Sequence, residues 1–261
     1  MDLGLKGRTA LVFGAGGGLG GAIACALGAE GAQVVVADVN PEALSGTVGQ
    51  LKKIGARFLE LHWDLADLSV IEDRFAHIEK ELGPVDVLVN NTGGPPPTLA
   101  SGVAGDVWQN HFQSMVLSVI KITDCALPSM KARKWGRIIT STSSGVIAPI
   151  PNLGVSNALR STLVGWSKTL AREVAPDGIT ANIVLPGRIA TQRIQQLDEA
   201  RAKRENIPLE KVVSQSVGAI PAARYGKPEE YGDVVTFLAS TRASYVTGSV
   251  IRIDGGYIAS I

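Results

Sequence analysis

The sequence predicts an α/β fold, a single domain over residues 1–261 built on a doubly wound parallel sheet of about seven strands. Three observations lead there. Short apolar runs rich in β-branched residues alternate with amphipathic segments of helix length, the joints between them are brief, and a glycine-rich loop links the first run to the first helix. A chain of 261 residues, 45% of them hydrophobic, is long enough to bury one sizeable core.

The elements follow in order. "RTALVFG" is the first strand, Leu19 to Glu30 the first helix, "AQVVVAD" the second strand and Glu42 to Ile54 the second helix. "RFLELHWD", Ser69 to Leu82 and "VDVLVNN" continue the alternation, and "GGPPPT" after them is too short to be a linker. A long helix over Trp108 to Met130 leads to the strand "RIITSTS"; a helix over Asn152 to Glu173 leads to "TANIVLP"; "SVIRIDGG" closes the sheet. Repeated βα units with short joints argue for parallel strands covered on both faces. Residues 192–222, rich in Gln, Glu, Lys and Arg, interrupt the pattern as a surface helical excursion, read either as a lid or as a solvated insertion.

Composition excludes several classes of partner. Lys and Arg number 25 against 24 Asp and Glu, scattered rather than clustered, so neither nucleic acid nor an anionic membrane is expected to bind. Only Cys25 and Cys125 are present, each in an apolar helical stretch, which predicts two free, buried thiols in a reducing compartment and no disulfide or metal site. No segment reaches about 18 uninterrupted apolar residues and no charged start precedes a long apolar run, so a soluble, cytoplasmic protein is expected.

The chemistry begins in "FGAGGGLGGA", where Gly14, Gly18 and Gly20 lie between a strand and a helix. Glycine there lets the backbone turn tightly and approach a pyrophosphate, whose charge meets the free N–H groups of the helix N-terminus. Asp38 ends the second strand, where a carboxylate can grip an adenosine ribose. Such a carboxylate accepts from a free 2′-hydroxyl and repels a 2′-phosphate, so NAD is the expected cofactor, on a Rossmann fold.

With these motifs, "NNTG" at Asn90 to Gly93, "PGRIAT" at Pro186 to Thr191 and "ASYVTGSVIRIDGG" at Ala243 to Gly256, the chain resembles the short-chain dehydrogenase/reductase family over nearly its whole length. It is most similar to the 3-oxoacyl-acyl-carrier-protein reductase-like branch. The resemblance implies that Leu19 joins Gly14, Gly18 and Gly20 in the cofactor loop, that Asp64 meets the adenine with Leu65 also binding the cofactor, and that Asn90 and Gly93 line the cleft. It further implies that Pro186, Gly187, Ile189 and Thr191 hold the nicotinamide end. A homodimer or homotetramer is implied too, with Trp166 and an apolar face of the two long helices packing across a twofold, or else packing on the sheet of their own chain.

The family's catalytic residues are mostly replaced. Aligned by "GRIITSTSSG" and "WSKTLARE", Ser143 falls on the family's Ser, but Ser156 stands where its Tyr acid is expected, Arg160 where its Lys is expected and Met115 where its Asn is expected. A serine hydroxyl is a far weaker acid than a phenol, a guanidinium stays protonated and cannot join a proton relay, and a thioether cannot organise water as an amide does. Ser143, Ser156 and Arg160 remain the catalytic candidates, for hydride transfer between nicotinamide and a small-molecule carbonyl or alcohol. Asn157 and Arg188 are further candidates for holding a bound oxygen or anion, and His111 for the proton. A dinucleotide-binding sensor or scaffold without chemistry is the alternative.

Overall fold

The computed structural model describes all residues, 1–261. Its sheet has seven strands in the order β3-β2-β1-β4-β5-β6-β7, all pairs parallel. They are β1 (Thr9–Phe13), β2 (Gln33–Asp38), β3 (Phe58–His62), β4 (Val87–Asn91), β5 (Gly136–Ser141), β6 (Ile179–Pro186) and β7 (Val250–Ile253). Successive side chains of a strand point to opposite faces, and both faces are covered. Val12, Val34, Val36 and Val89 therefore enter one core cluster, while Leu11, Phe13, Val35 and Leu88 enter the other.

Helices α1 (Gly18–Ala29), α2 (Pro41–Lys53) and α9 (Pro228–Ala239) cover the first face. The second is covered by α3 (Ile71–Leu82), α5 (Ser118–Ala132) and α6 (Gly154–Val174). Between α4 (Gly105–Phe112) and α5, residues Gln113–Leu117 form a π turn, so the long predicted helix is one rod with a local bulge. Residues α7 (Gln192–Glu205) and α8 (Leu209–Gly218) make up the predicted excursion, a helical pair.

The strand order reverses between β1 and β4, which leave the sheet in opposite directions at their C-terminal ends and open a crevice there. Two expectations are corrected in detail. The third strand stops at His62, so Asp64 lies past it, in a turn that its own carboxylate closes by accepting from the Ala66 N–H at 2.8 Å. Both cysteines are free but only half-buried, and burial together with a nearby glutamate pushes each thiol above its ordinary range.

Candidate active site and cofactor cleft

Two neighbouring helices show what is unusual about the crevice. Asn40 caps α2 in the ordinary way, its side chain accepting from the N–H groups of Glu42 and Ala43. Helix α1 follows Gly17 at its N-cap, with no side-chain cap and no acid in its first turn, so its N-terminal N–H groups and positive dipole end are open to an anion. The loop before it is held close by backbone geometry. Gly14 and Gly18 take φ of 61° and 54°, and a Cβ on Gly20 would lie 2.1 Å from the Gly14 carbonyl oxygen. This cradle and its bare helix end fit a pyrophosphate.

Asp38 is tied to the loop. Its Oδ2 accepts from the Gly16 N–H at 2.9 Å and its Oδ1 from the Asn40 N–H at 2.9 Å, which fixes the carboxylate at the rim of the crevice. Across the loop, Thr191 stands with its methyl 3.5 Å from where a Cβ on Gly18 would lie, while its hydroxyl caps α7 by accepting from Ile194 at 3.4 Å. Leu19 and Leu65 each pack partly buried against a core cluster. Asp64 keeps its hydrogen bonds within its own turn.

At the C-terminal ends of β4 and β5 the sheet carries polar groups that the protein itself leaves unsatisfied. Asn90 is buried and its amide donates to Thr123 and Thr140, yet its Oδ1 has no partner, nor do the hydroxyls of Thr92 and Thr142. Buried polar atoms without partners mark water or a ligand site. Above them Ser143 accepts from the Gly145 N–H at 3.1 Å, and Ser156 has no hydrogen-bond partner. Arg160 reaches from α6 to donate through Nη2 to the carbonyls of Thr92, at 3.2 Å, and Gly93, at 3.1 Å. Burial, reinforced by the charge of Arg193, pulls its guanidinium down to about 10, which still leaves it cationic at neutral pH.

Met115, in the π turn, is buried against Val155 and Leu159 of α6, so an apolar side chain plugs this position. π turns of this kind recur at functional sites.

Several candidates are engaged elsewhere. Arg188 pairs with the buried Asp198 at 2.7 Å, whose other oxygen accepts from the Tyr225 hydroxyl at 2.6 Å; this clamp fastens α7 to the chain leaving β6 and keeps Arg188 from serving as a free cation. The Asn157 side chain is spent on the backbone of Ile150, with its amide donating at 2.9 Å. The His111 side chain, in the last turn of α4, makes no hydrogen bond. Ile189 is buried and bridges Gly226, and Gly187 lies under β7, where a Cβ would come within 2.5 Å of the Asp254 backbone, while Pro186 ends β6 beside Ile253. Trp166 is half-buried against two core clusters of its own chain.

The residue that sequence reasoning missed is Arg193, in the first turn of α7, whose Nη2 donates to the Pro95 carbonyl at 3.1 Å. Nothing in the spacing of the excursion singles it out from the other cations there. Its role shows only when α7 lies over the "GGPPP" loop.

A doubly wound sheet with an uncapped, glycine-lined helix end at its strand reversal defines a dinucleotide-binding α/β protein. The family model described as Enoyl-(Acyl carrier protein) reductase matches residues 14–258, and the chain belongs to that family, within the short-chain dehydrogenases/reductases. The chain is 36% identical over 251 residues to Nodulation protein G of Azospirillum brasilense, covering 95% of this chain and 97% of that one. It is 36% identical over 254 residues to the 3-oxoacyl-[acyl-carrier-protein] reductase of Salmonella typhimurium, covering 96% and 97%. Its fold is similar to that of L-sorbose reductase from Gluconobacter frateurii, solved with NADPH and L-sorbose, at a TM-score of 0.93 and 29% identity over 100% of both chains.

Proposed function

We propose that this chain is an NAD(H)-dependent oxidoreductase that exchanges hydride with a carbonyl or alcohol substrate without a tyrosine acid. The observation that carries the proposal is the meeting, at one crevice, of a bare glycine-lined helix end with a serine hydroxyl and a buried guanidinium. Its likeness to a reductase that binds NADPH supports a nicotinamide dinucleotide. The preference for NAD rests on Asp38 and on the lack of any Lys or Arg from Gly14 to Leu51 to meet a 2′-phosphate.

In this reading Gly14, Gly18, Leu19 and Gly20 hold the pyrophosphate, Asp38 the adenosine ribose, and Asp64 with Leu65 the adenine. Asn90, Gly93, Pro186, Gly187, Ile189 and Thr191 hold the nicotinamide end. When bound, the nicotinamide gives or takes the hydride. Ser143 already accepts from Gly145, so its own proton is free to be donated to the substrate oxygen, and the unpartnered Ser156 is a second donor. Neither hydroxyl is acidic enough to surrender its proton, so these groups stabilise charge on oxygen while water entering the crevice supplies the proton. Arg160 fixes the nicotinamide ribose and raises the local positive potential. Without a general acid, turnover is slower by on the order of 10²–10⁴ than with one. The protein acts in the cytoplasm, where Cys25 and Cys125 stay reduced, as a homodimer or homotetramer.

The test is a fluorescence titration of purified protein with NADH and NADPH, followed by a panel of ketones and alcohols. NADH bound more tightly than NADPH, with slow turnover of at least one substrate, is the expected result. Binding without turnover across the panel would return the chain to a sensor or scaffold, and no binding would refute the reading of Asp38 and the glycine loop.

A further inference from the structure

We infer that the substrate of this site carries a carboxylate, held between Arg160 and Arg193. The inference rests on the oxidoreductase reading above and gives it a substrate class. Arg160 is only 9% exposed, yet none of the ion pairs of the chain includes it. Its protein partners are two backbone carbonyls, both reached through Nη2, so Nε and Nη1 keep their hydrogens free. Carbonyls satisfy hydrogens but do not neutralise a charge, and a buried cation without an anion is a costly arrangement for folding alone to maintain.

A second guanidinium worsens that cost. Arg193 comes down from α7 and is tethered to Pro95, one residue from Gly94. A Cβ built on Gly94 would lie 3.4 Å from Arg160 Nη2, 3.8 Å from Arg193 Nη2 and 4.0 Å from Ser156 Oγ. Two cations and a hydroxyl thus converge on one exposed glycine, with no acid among them, and each cation is steered there by a backbone carbonyl.

The chemistry selects the ligand. A ribose hydroxyl is neutral, so the ribose contact assigned above occupies one hydrogen of Arg160 and leaves its charge uncompensated, whereas a carboxylate can accept from a remaining Nε or Nη1 hydrogen of Arg160 with one oxygen and from Arg193 with the other, and the absent side chain at Gly94 leaves it room. The other anion that reaches this cleft is the pyrophosphate of the dinucleotide, which the bare end of α1 already accommodates.

The test titrates the NADH-loaded full chain, by calorimetry, with 2-, 3- and 4-hydroxybutanoate, each against its methyl ester. With reduced cofactor these alcohols form dead-end complexes, so binding is read without turnover. At least one acid is expected to bind on the order of tenfold or more tightly than its ester, as a charge-assisted pair requires. In Arg193→Gln that ratio should fall toward one while NADH affinity stays within about twofold. Arg160→Lys should also reduce the ratio, because a single ammonium cannot hold the Thr92 and Gly93 carbonyls through one nitrogen while presenting separate N–H groups to the carboxylate. Lys211→Gln, a loss of charge on α8, should leave the ratio intact. Esters that bind as well as every acid would overturn the inference. So would an Arg193→Gln protein that keeps the ratio but loses NADH affinity, because that result assigns the cation to the pyrophosphate. Failure of the wild type to bind NADH would instead refute the oxidoreductase reading.

Discussion

Gly20→Ala isolates the geometry on which dinucleotide binding depends. The added Cβ would meet the Gly14 carbonyl oxygen at 2.1 Å, its carbonyl carbon at 2.6 Å and the Phe13 carbonyl oxygen at 3.0 Å. Ordinary contacts begin near 3.5 Å, so the loop and α1 must separate by more than about 1 Å. All three opposing atoms are backbone, and the loop is tethered by the Ala15 N–H donating to Ala37 at 3.1 Å, so no side chain can swing away to relieve the clash. Overpacking of this kind costs about 1–3 kcal/mol, or roughly 2–10 °C in Tm for a chain of this size. Moving the loop also withdraws the N–H cradle, so the Kd for NADH should rise by on the order of tenfold. Differential scanning fluorimetry and NADH fluorescence read the two effects on one sample. Gly46→Ala is the control: it lies in α2 with nothing within 4 Å of its Cβ, and it should raise stability by about 0.5–1 kcal/mol. A Gly20→Ala protein with wild-type Tm and wild-type NADH affinity would refute the close-approach argument.

Three further outcomes follow from the same site. Ser143→Ala removes the hydroxyl that Gly145 orients, so kcat on any accepted substrate should fall by on the order of 10²-fold with NADH affinity unchanged in titration. Asp38→Asn keeps an oxygen for the Gly16 N–H but removes the charge, so comparative titration should move the balance toward NADPH by about tenfold; an unchanged ratio would remove Asp38 as the discriminator. Burial holds the Tyr231 phenol above its ordinary range while it hydrogen-bonds Ser141 at 2.8 Å. A raised folded pKa stabilises the protein below the unfolded value and the benefit is lost as pH climbs, so the urea midpoint should drop from about pH 10 upward. Tyr231→Phe should cost about 1 kcal/mol at neutral pH and flatten that alkaline drop, measured by urea titration at each pH.

The elements were legible because each strand announces itself locally. Runs such as "AQVVVAD" are apolar on both faces and short, which only a covered parallel strand tolerates. The glycine loop was legible for a related reason, since a carbonyl 2.1 Å from a missing Cβ excludes every residue but glycine, and that exclusion is written in the sequence. Arg188 shows where such reading stops. Its place in "PGRIAT" suggested a free cation over the cleft, whereas a carboxylate ten positions along the chain, one helix away in space, captures it. The pairing depends on how α7 docks, and docking is a sum of long-range contacts that no local pattern encodes.

The same division holds for the whole protein. By itself the sequence determined the sheet, the bare helix end and the carboxylate at Asp38, because each follows from the kind of residue at a position in a local motif. Only the tertiary structure decided that Met115 plugs the face of α6, that Asn157 and Arg188 are spent on other partners, and that Arg160 and Arg193 converge on Gly94 without an acid between them. Side chains distant in sequence acquire a shared electrostatic environment only when packing brings them together. Below that threshold each is simply an arginine.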